Sequence, residues 1–239
     1  CPKNINVVEL GAGNGEMMFQ ILKTAERFSK FKSSSNFIIY EKSAYLKKIQ
    51  KKKINFKNIK WLNNLKKIPK FPSIFIANEF FDALPIKQFL KKNNNWYEKY
   101  IINKDKSLNF FEKKIKKEFI EKLIRQKIQR NQKFIEYSPL ANEKLNTISK
   151  IIKKQNGGLL IIDYGYKDKN MFDTLQSVKN HKKNFLLENI YKSDITHLIN
   201  FNFFIKRIKN LEIDSINLTT QREFLLKMGI LERAEIISK

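Results

Sequence analysis

Four short, almost continuously apolar segments punctuate the chain: INVVEL at 5–10, FIIYE at 37–41, SIFIANEF at 73–80 and GGLLIIDYG at 157–165. A strand that is apolar at successive positions has no face to offer to water, so it must be covered on both sides. Strands of this kind, separated by amphipathic helical stretches, specify an α/β fold with a mostly parallel sheet between two layers of helices. The first unit is the clearest. INVVEL runs into a glycine turn and then into GEMMFQILKTAERF, where Met18, Ile21, Leu22 and Ala25 recur at helical spacing. KSSSN at 32–36 reads as a loop, and AYLKKIQKKK at 44–53 as a helix with a basic outer face.

Between the segments at 73–80 and 157–165 the period changes. Strand-like stretches broken by Asn-rich and Asp-Lys turns predict hairpins, followed by a Lys-rich helix over about 115–129, so residues from about 89 to 135 read as an insertion. NEKLNTISKIIKKQNGG predicts a helix with Gly157 as its C-terminal stop. The tail from 203 carries a mixed strand pattern, then a short helix in TQREFLLKMGI that ends at Gly229. There is no internal repeat, and residues 1–239 read as one domain.

Composition narrows the function classes. The chain is 42% hydrophobic and 13% aromatic, enough for a packed core. No apolar run approaches the roughly 20 residues that span a bilayer, and the first residues lack the features of a signal peptide, so the expected location is intracellular. One cysteine, Cys1, and two histidines leave little material for a metal site, and none is expected. The formal charge of +25 raises the question of nucleic acid, but only six of the 48 basic residues are Arg and the Lys are dispersed over nearly every segment. Lysine is the weaker choice where bidentate phosphate or base contacts are needed. A solvated basic surface therefore fits better than a nucleic-acid groove, with an acidic partner as a further use of the charge.

The glycine turn carries chemistry. ELGAGNGE sets Glu9, Gly11, Gly13 and Gly15 at alternate positions between strand and helix, where glycine permits positive φ and lets a ligand approach the main chain. A dinucleotide fingerprint wants its third glycine at 16, but position 16 is Glu, which would oppose a pyrophosphate at a helix N-terminus. The E-x-G-x-G-x-G spacing instead resembles the first motif of Rossmann-like S-adenosylmethionine methyltransferases, whose ligand is cationic and carries no phosphate. Glu9 can face its charged part, and Glu41 stands where such folds use an acid for the ribose hydroxyls. The alternative is a strand–helix turn whose glycines serve packing alone.

After SIFIA comes NEFF, Asn78 to Phe81, with Asp82 next. Enzymes that methylate nucleobase amines carry an Asn/Asp-Pro-Pro-aromatic motif here, and Glu79 and Phe80 replace its prolines. The longer string ANEFFDALPIKQF resembles the MidA-like methyltransferase family, and VELGAGNGEMM, EKSAYLKKIQ, IKWLNNL, WYEKY, EYSPLA, GGLLIIDYGY, DTLQSVKNH and TQREFLLKMGI agree with it in order. The resemblance implies a Rossmann-like class I fold and an S-adenosylmethionine-dependent protein-arginine methyltransferase. It also implies a protein substrate that is a core subunit of a complex I-type NADH:quinone oxidoreductase. The location would be a bacterial cytoplasm or a mitochondrial matrix. The expected catalytic residues are Asn78, Glu79 and Asp82, with Glu9, Gly11, Gly13, Gly15, Glu41 and Asn78 on the cofactor and Asp163 and Tyr164 on the substrate. If the chain turns helical after Phe80, Glu79 and Asp82 share a face.

Each residue also has a plainer reading. Asp82 could cap a turn before Pro85, Tyr164 could be core, and Trp61 could fill the sheet face or stack near an adenine. Two other functions stay open: a nucleic-acid methyltransferase, and a non-catalytic assembly factor. DITHLINF departs from the family form Asp-x-Thr-x-His-Val-Asp-Phe, because His197 falls one place early, Leu198 stands in the His position and Asn200 replaces the acid. His181 matches the family pattern better. The chain reads as a fragment lacking the family's N-terminal segment and part of its C-terminal region.

Overall fold

Val7 and Val8 leave their strand on opposite sides, and two separate cores grow from them. The computed structural model describes residues 4–104, 107–125, 128, 130–213 and 215–238. Cys1, the Asp105-Lys106 turn and residues 126, 127 and 129 of the expected Lys-rich helix lie outside the described residues. In chain order, β1 (Ile5–Leu10) leads to α1 (Glu16–Ala25) and α2 (Ser29–Ser34), then to β2 (Ser35–Tyr40), α3 (Ala44–Lys53), β3 (Ile59–Leu62) and β4 (Ser73–Asn78). A second group follows: β5 (Lys87–Lys92), β6 (Asn95–Lys104), β7 (Ser107–Ile115), α4 (Lys117–Arg125) and β8 (Phe134–Tyr137). The chain then returns through α5 (Pro139–Gln155) to β9 (Gly157–Ile162). The remaining strands, β10 (Gly165–Tyr166), β11 (Gln176–Lys179), β12 (Lys182–Asn184), β13 (Asp194–Thr196) and β14 (Ile199–Asn200), are short and precede α6 (Phe201–Lys209), α7 (Gln221–Lys227) and α8 (Ile230–Ser238).

The central sheet has the order β3-β2-β1-β4-β9, and every pair in it is parallel. Period-two alternation sorts its side chains. Val7, Phe37, Ile39 and Ile76 meet Met18, Leu22 and Ala25 of α1 on one face. Val8, Leu10, Ile38, Phe75 and Ala77 meet Leu145 and Ile148 of α5 and Phe203 and Phe204 of α6 on the other. This is the Rossmann-like arrangement expected, with one strand more than the four apolar segments. β3 is short and half-buried at the sheet edge, so its sequence carries less of the fully apolar signature.

The chain reverses direction across the sheet between β1 and β4. β2 and β3 lie on one side of β1, and β4 and β9 on the other, so the C-terminal ends of β1 and β4 border a crevice, the usual ligand position in open parallel sheets. Two loops meet there: a Cβ added to Gly11 would lie 2.8 Å from Cδ2 of Phe80.

The insertion expected at about 89–135 is present as an antiparallel sheet, β7-β6-β5-β8, together with α4, and runs from Lys87 to Tyr137. Phe89, Trp96 and Ile135 from it join the α5 face of the main core, so it is built into that core and does not stand apart. Several expectations need correction. KSSSN is not wholly loop: Ser33 and Ser34 close α2 with hydroxyls bonded back to the Lys30 carbonyl, and β2 begins at Ser35. The tail from 203 holds no strand among the described residues: its regular elements are α6, α7 and α8, with Phe203, Phe204 and Arg207 buried at helix spacing in α6. Gly157 does not stop α5. Asn156 is the C-cap with φ 63°, and Gly157, with φ 137°, already pairs with Ser73 as the first residue of β9.

No helix among the described residues is long and apolar enough to cross a membrane. No group of three or more His, Cys, Asp or Glu side chains among them could hold a metal ion.

Candidate active site

The glycine loop leaves β1 with the Gly11 amide donating to the Tyr40 carbonyl (2.9 Å), and closes with the Gly15 amide donating to Ala12 (2.7 Å). Gly15 then caps α1 in the left-handed conformation, φ 85°. Gly11 and Gly15 face side chains, but Gly13 has no atom within 4 Å of the position its Cβ would take, and its φ is 53°. It therefore faces open space, with room for a close approach to the main chain.

Beneath the loop, Glu9 is 3% exposed, and its Oε2 has no hydrogen-bond partner among the described residues. Burial pushes its carboxyl from 4.5 up to about 7, against a smaller pull from the Met18 amide. Glu41 is buried one residue past β2. It accepts from the Ser43 amide (2.8 Å) and from Nε2 of Gln50 (3.2 Å). Gln50 is fully buried and also donates to the Gly13 carbonyl (2.9 Å), while its Oε1 accepts from Trp61 Nε1 (3.0 Å). One amide thus ties the acid, the loop and the tryptophan together. The sequence reading missed Gln50, whose only signal is an uncharged polar residue in a row of lysines. Trp61 serves packing on the α1 face as well as this bond.

On the other side of the crevice, Asn78 ends β4, half-buried and opposite Ile162. Glu79 follows with φ 45°, a left-handed conformation that strains a residue with a Cβ. Its amide donates to the Ile162 carbonyl (2.9 Å), and its side chain is exposed. No helix begins after Phe80, so Glu79 and Asp82 do not share a helix face. The chain instead makes a turn, with the Leu84 amide donating to the Phe81 carbonyl (3.2 Å). Fully buried Phe81 anchors that turn edge-on against Phe204.

Asp82 is 5% exposed. Burial first, and then the charge of Glu79, hold its carboxyl above the usual range, opposed by His197 and by the Ala83 amide. Part of its role is thus the local turn expected of a capping residue. Asp163 sits just past β9, and its Oδ2 accepts from the amides of Phe81 (3.1 Å) and Asp82 (3.3 Å), its Oδ1 from that of Tyr164 (2.9 Å). Burial and then the charge of Asp82 push it up to about 7. It stitches the end of β9 to the NEFF turn. Tyr164 is 62% exposed, so it is not core, and with Glu79 and Asp163 it borders a cleft of about 410 Å³ beside β9 and α6. His181 is exposed in the turn between β11 and β12, whereas His197 is buried against the acids.

Glu79, Asp82 and Asp163 form no ion pair with Lys or Arg among the described residues, on a chain of charge +25.

A family model described as "Putative S-adenosyl-L-methionine-dependent methyltransferase" matches residues 1–219. A Caenorhabditis elegans protein named mitochondrial protein arginine methyltransferase NDUFAF7 homolog is 30% identical over 248 residues, covering 95% of this chain and 58% of that protein. The Xenopus tropicalis protein arginine methyltransferase NDUFAF7, mitochondrial, is 26% identical over 262 residues, covering 99% of this chain and 60% of the relative. The chain thus spans about three-fifths of the length of these curated relatives. Two solved structures from Burkholderia thailandensis share the fold. One superposes with TM-score 0.78 at 20% identity over 96% of this chain and 63% of that one. The other, bound to S-adenosyl-homocysteine, gives 0.77 at 19% identity over 96% and 61%.

Proposed function

The chain belongs to the family of S-adenosyl-L-methionine-dependent methyltransferases whose model it matches, and on that premise we propose that it methylates an arginine side chain of a protein. The cluster of Glu79, Asp82 and Asp163, which no Lys or Arg among the described residues pairs with, carries this reading. A guanidinium is recognised by carboxylates that take its fork of N–H donors, whereas a nucleic acid would bring phosphates toward three acids. The names of the relatives, arginine methyltransferases of mitochondria, support the same acceptor.

The residues around the glycine loop fit the cofactor. Gly13 leaves open space beside the main chain, Glu9 keeps a buried oxygen without a partner among the described residues, and Glu41 retains acceptor capacity beyond its two bonds. Glu9, Gly11, Gly13, Gly15 and Glu41 would hold it, with Asn78 at the edge shared with the acceptor. When bound, the cofactor supplies a methyl group on a positively charged sulfur. Glu79 and Asp82 receive the guanidinium and hold one nitrogen toward that methyl group, and Asp163 fixes the turn that presents them. N-methylation of a guanidinium sheds one N–H proton, which the exposed Glu79 carboxylate would pass to solvent, and orientation and electrostatics would accomplish most of the catalysis. The strained backbone of Glu79 is consistent with a side chain held in one direction for binding.

The acceptor proposed is a core subunit of a complex I-type NADH:quinone oxidoreductase, met in the mitochondrial matrix or the bacterial cytoplasm. Full-length protein incubated with isotopically labelled S-adenosyl-L-methionine and isolated complex I core subunits, with RNA in parallel, tests this. Mass spectrometry should find the label on arginine. Label on RNA and none on arginine refutes the proposal.

A further inference from the structure

Two buried polar atoms beside the acid cluster have no hydrogen-bond partner among the described residues: Oδ1 of Asp82 and Nε2 of His197. Their residues are 5% and 7% exposed, so bulk solvent does not reach them. The two segments already touch, because the His197 amide donates to the Asp82 carbonyl oxygen (3.1 Å), and His197 is among the charges acting on the Asp82 carboxylate. Nδ1 of the ring lies 3.3 Å from the Leu198 carbonyl oxygen, which accepts from it when Nδ1 is protonated, and a ring protonated on both nitrogens has its Nε2–H left for a carboxylate. The strand on either side is pinned. The Leu198 amide donates to Thr174 Oγ1 (2.9 Å) and the Ile199 amide to the Tyr164 carbonyl (2.8 Å), which holds the imidazole under the turn. A cavity of about 20 Å³ bordered by Glu136, Ser138, Tyr166 and His197 holds about one water, so the ring has little other space.

Two unpaired polar atoms on residues whose backbones are hydrogen-bonded to each other are costly in a core unless another state of the protein pairs them. Hydrogen bonds at catalytic sites are commonly long in the free protein and tighten when the substrates are in place. We propose that His197 is a positioning residue: its imidazole closes on Oδ1 of Asp82 and holds that carboxylate toward the incoming cationic side chain. The titratable groups that face the pair are Glu79 and Asp163 beside Asp82 and Glu136, Tyr137 and Tyr166 beside His197. The proposal rests on the arginine-methyltransferase reading, and it gives a role to a histidine that stands one place from the family position.

The test uses the full-length protein with His197→Phe and His197→Gln. Three results are expected for His197→Phe: unchanged calorimetric affinity for S-adenosyl-homocysteine, an unfolding midpoint equal to or above wild type, and at least a tenfold higher KM for the protein acceptor. His197→Gln, which keeps an N–H donor, should recover part of that KM. Nitrogen-15 NMR supplies a readout independent of turnover: with S-adenosyl-homocysteine present, arginine amide should move the His197 Nε2 signal in the wild type and not in Asp82→Asn. Unchanged acceptor kinetics in His197→Phe, or loss of cofactor affinity and thermal stability together, overturns the proposal. A wild-type protein that methylates no arginine but shows the NMR response removes the proposed reaction and leaves the pairing standing, and an absent response with normal methylation does the reverse.

Discussion

Replacing Glu9 with Gln should make the protein more stable at pH 8 and leave it nearly unchanged at pH 4.5. Glu9 is 3% exposed, has one unpartnered oxygen, and is pushed from 4.5 up to about 7 by burial. Because the folded value lies above the unfolded one, the group contributes full stability below about 4.5, and that contribution is lost as the pH rises through about 7. At about 1.36 kcal/mol per pH unit, the rise amounts to roughly 3 kcal/mol. The neutral Gln has no charged form to bury, so the difference between variant and wild type should grow from near zero to about that value. For a chain of this size, about 2–4 °C per kcal/mol puts the gap in melting temperature at roughly 6–12 °C at pH 8. Scanning calorimetry of both proteins from pH 4.5 to 8 measures it, and the subtraction removes every other titrating group, including Asp163. The same charge should serve the cofactor: wild-type affinity for cationic S-adenosyl-L-methionine should strengthen from pH 6 to 8 and lose most of that dependence in Glu9→Gln. A melting difference that stays flat across the range refutes the reasoning about burial, and an affinity that rises equally in both proteins refutes the role assigned to Glu9.

Two further substitutions separate binding from folding. Gly13→Val should leave the fold intact apart from about 1–2 kcal/mol for its left-handed backbone, while abolishing cofactor binding in calorimetry, because the new side chain enters space that no protein atom occupies; unchanged binding contradicts the proposed loop. Gly157→Ala should instead cost stability on the order of 3 kcal/mol or more, because its Cβ would lie 2.0 Å from the Ser73 carbonyl oxygen where β4 and β9 pair; an unchanged melting temperature contradicts that packing.

The sheet was legible because its signals are local. Near-continuous apolar runs require cover on both faces, and a glycine turn between a strand and an amphipathic stretch marks a strand–loop–helix unit in one short window. The candidate site was legible for the same reason: its residues stand at strand ends, and the register of a parallel sheet carries strand ends to one edge. What escaped the sequence depends on contacts between distant segments. Gln50 acquires its role only when α3 packs beneath the glycine loop, 37 residues from the carbonyl it bonds. Asp163 reads from sequence as a substrate residue, yet its oxygens bind amides 81 and 82 positions away. Glu79 and Asp82 were expected on one helix face; the left-handed backbone of Glu79 and the anchored ring of Phe81 turn the chain instead, leaving one acid exposed and the other buried. The sequence by itself determined the parallel sheet, the open glycine loop and the acids at the strand ends, because periodicity and backbone freedom act over a few residues. Only the tertiary structure decided which acid faces solvent, which is pushed toward neutrality and which histidine meets it, because burial and electrostatics are properties of neighbours that the chain brings together only by folding.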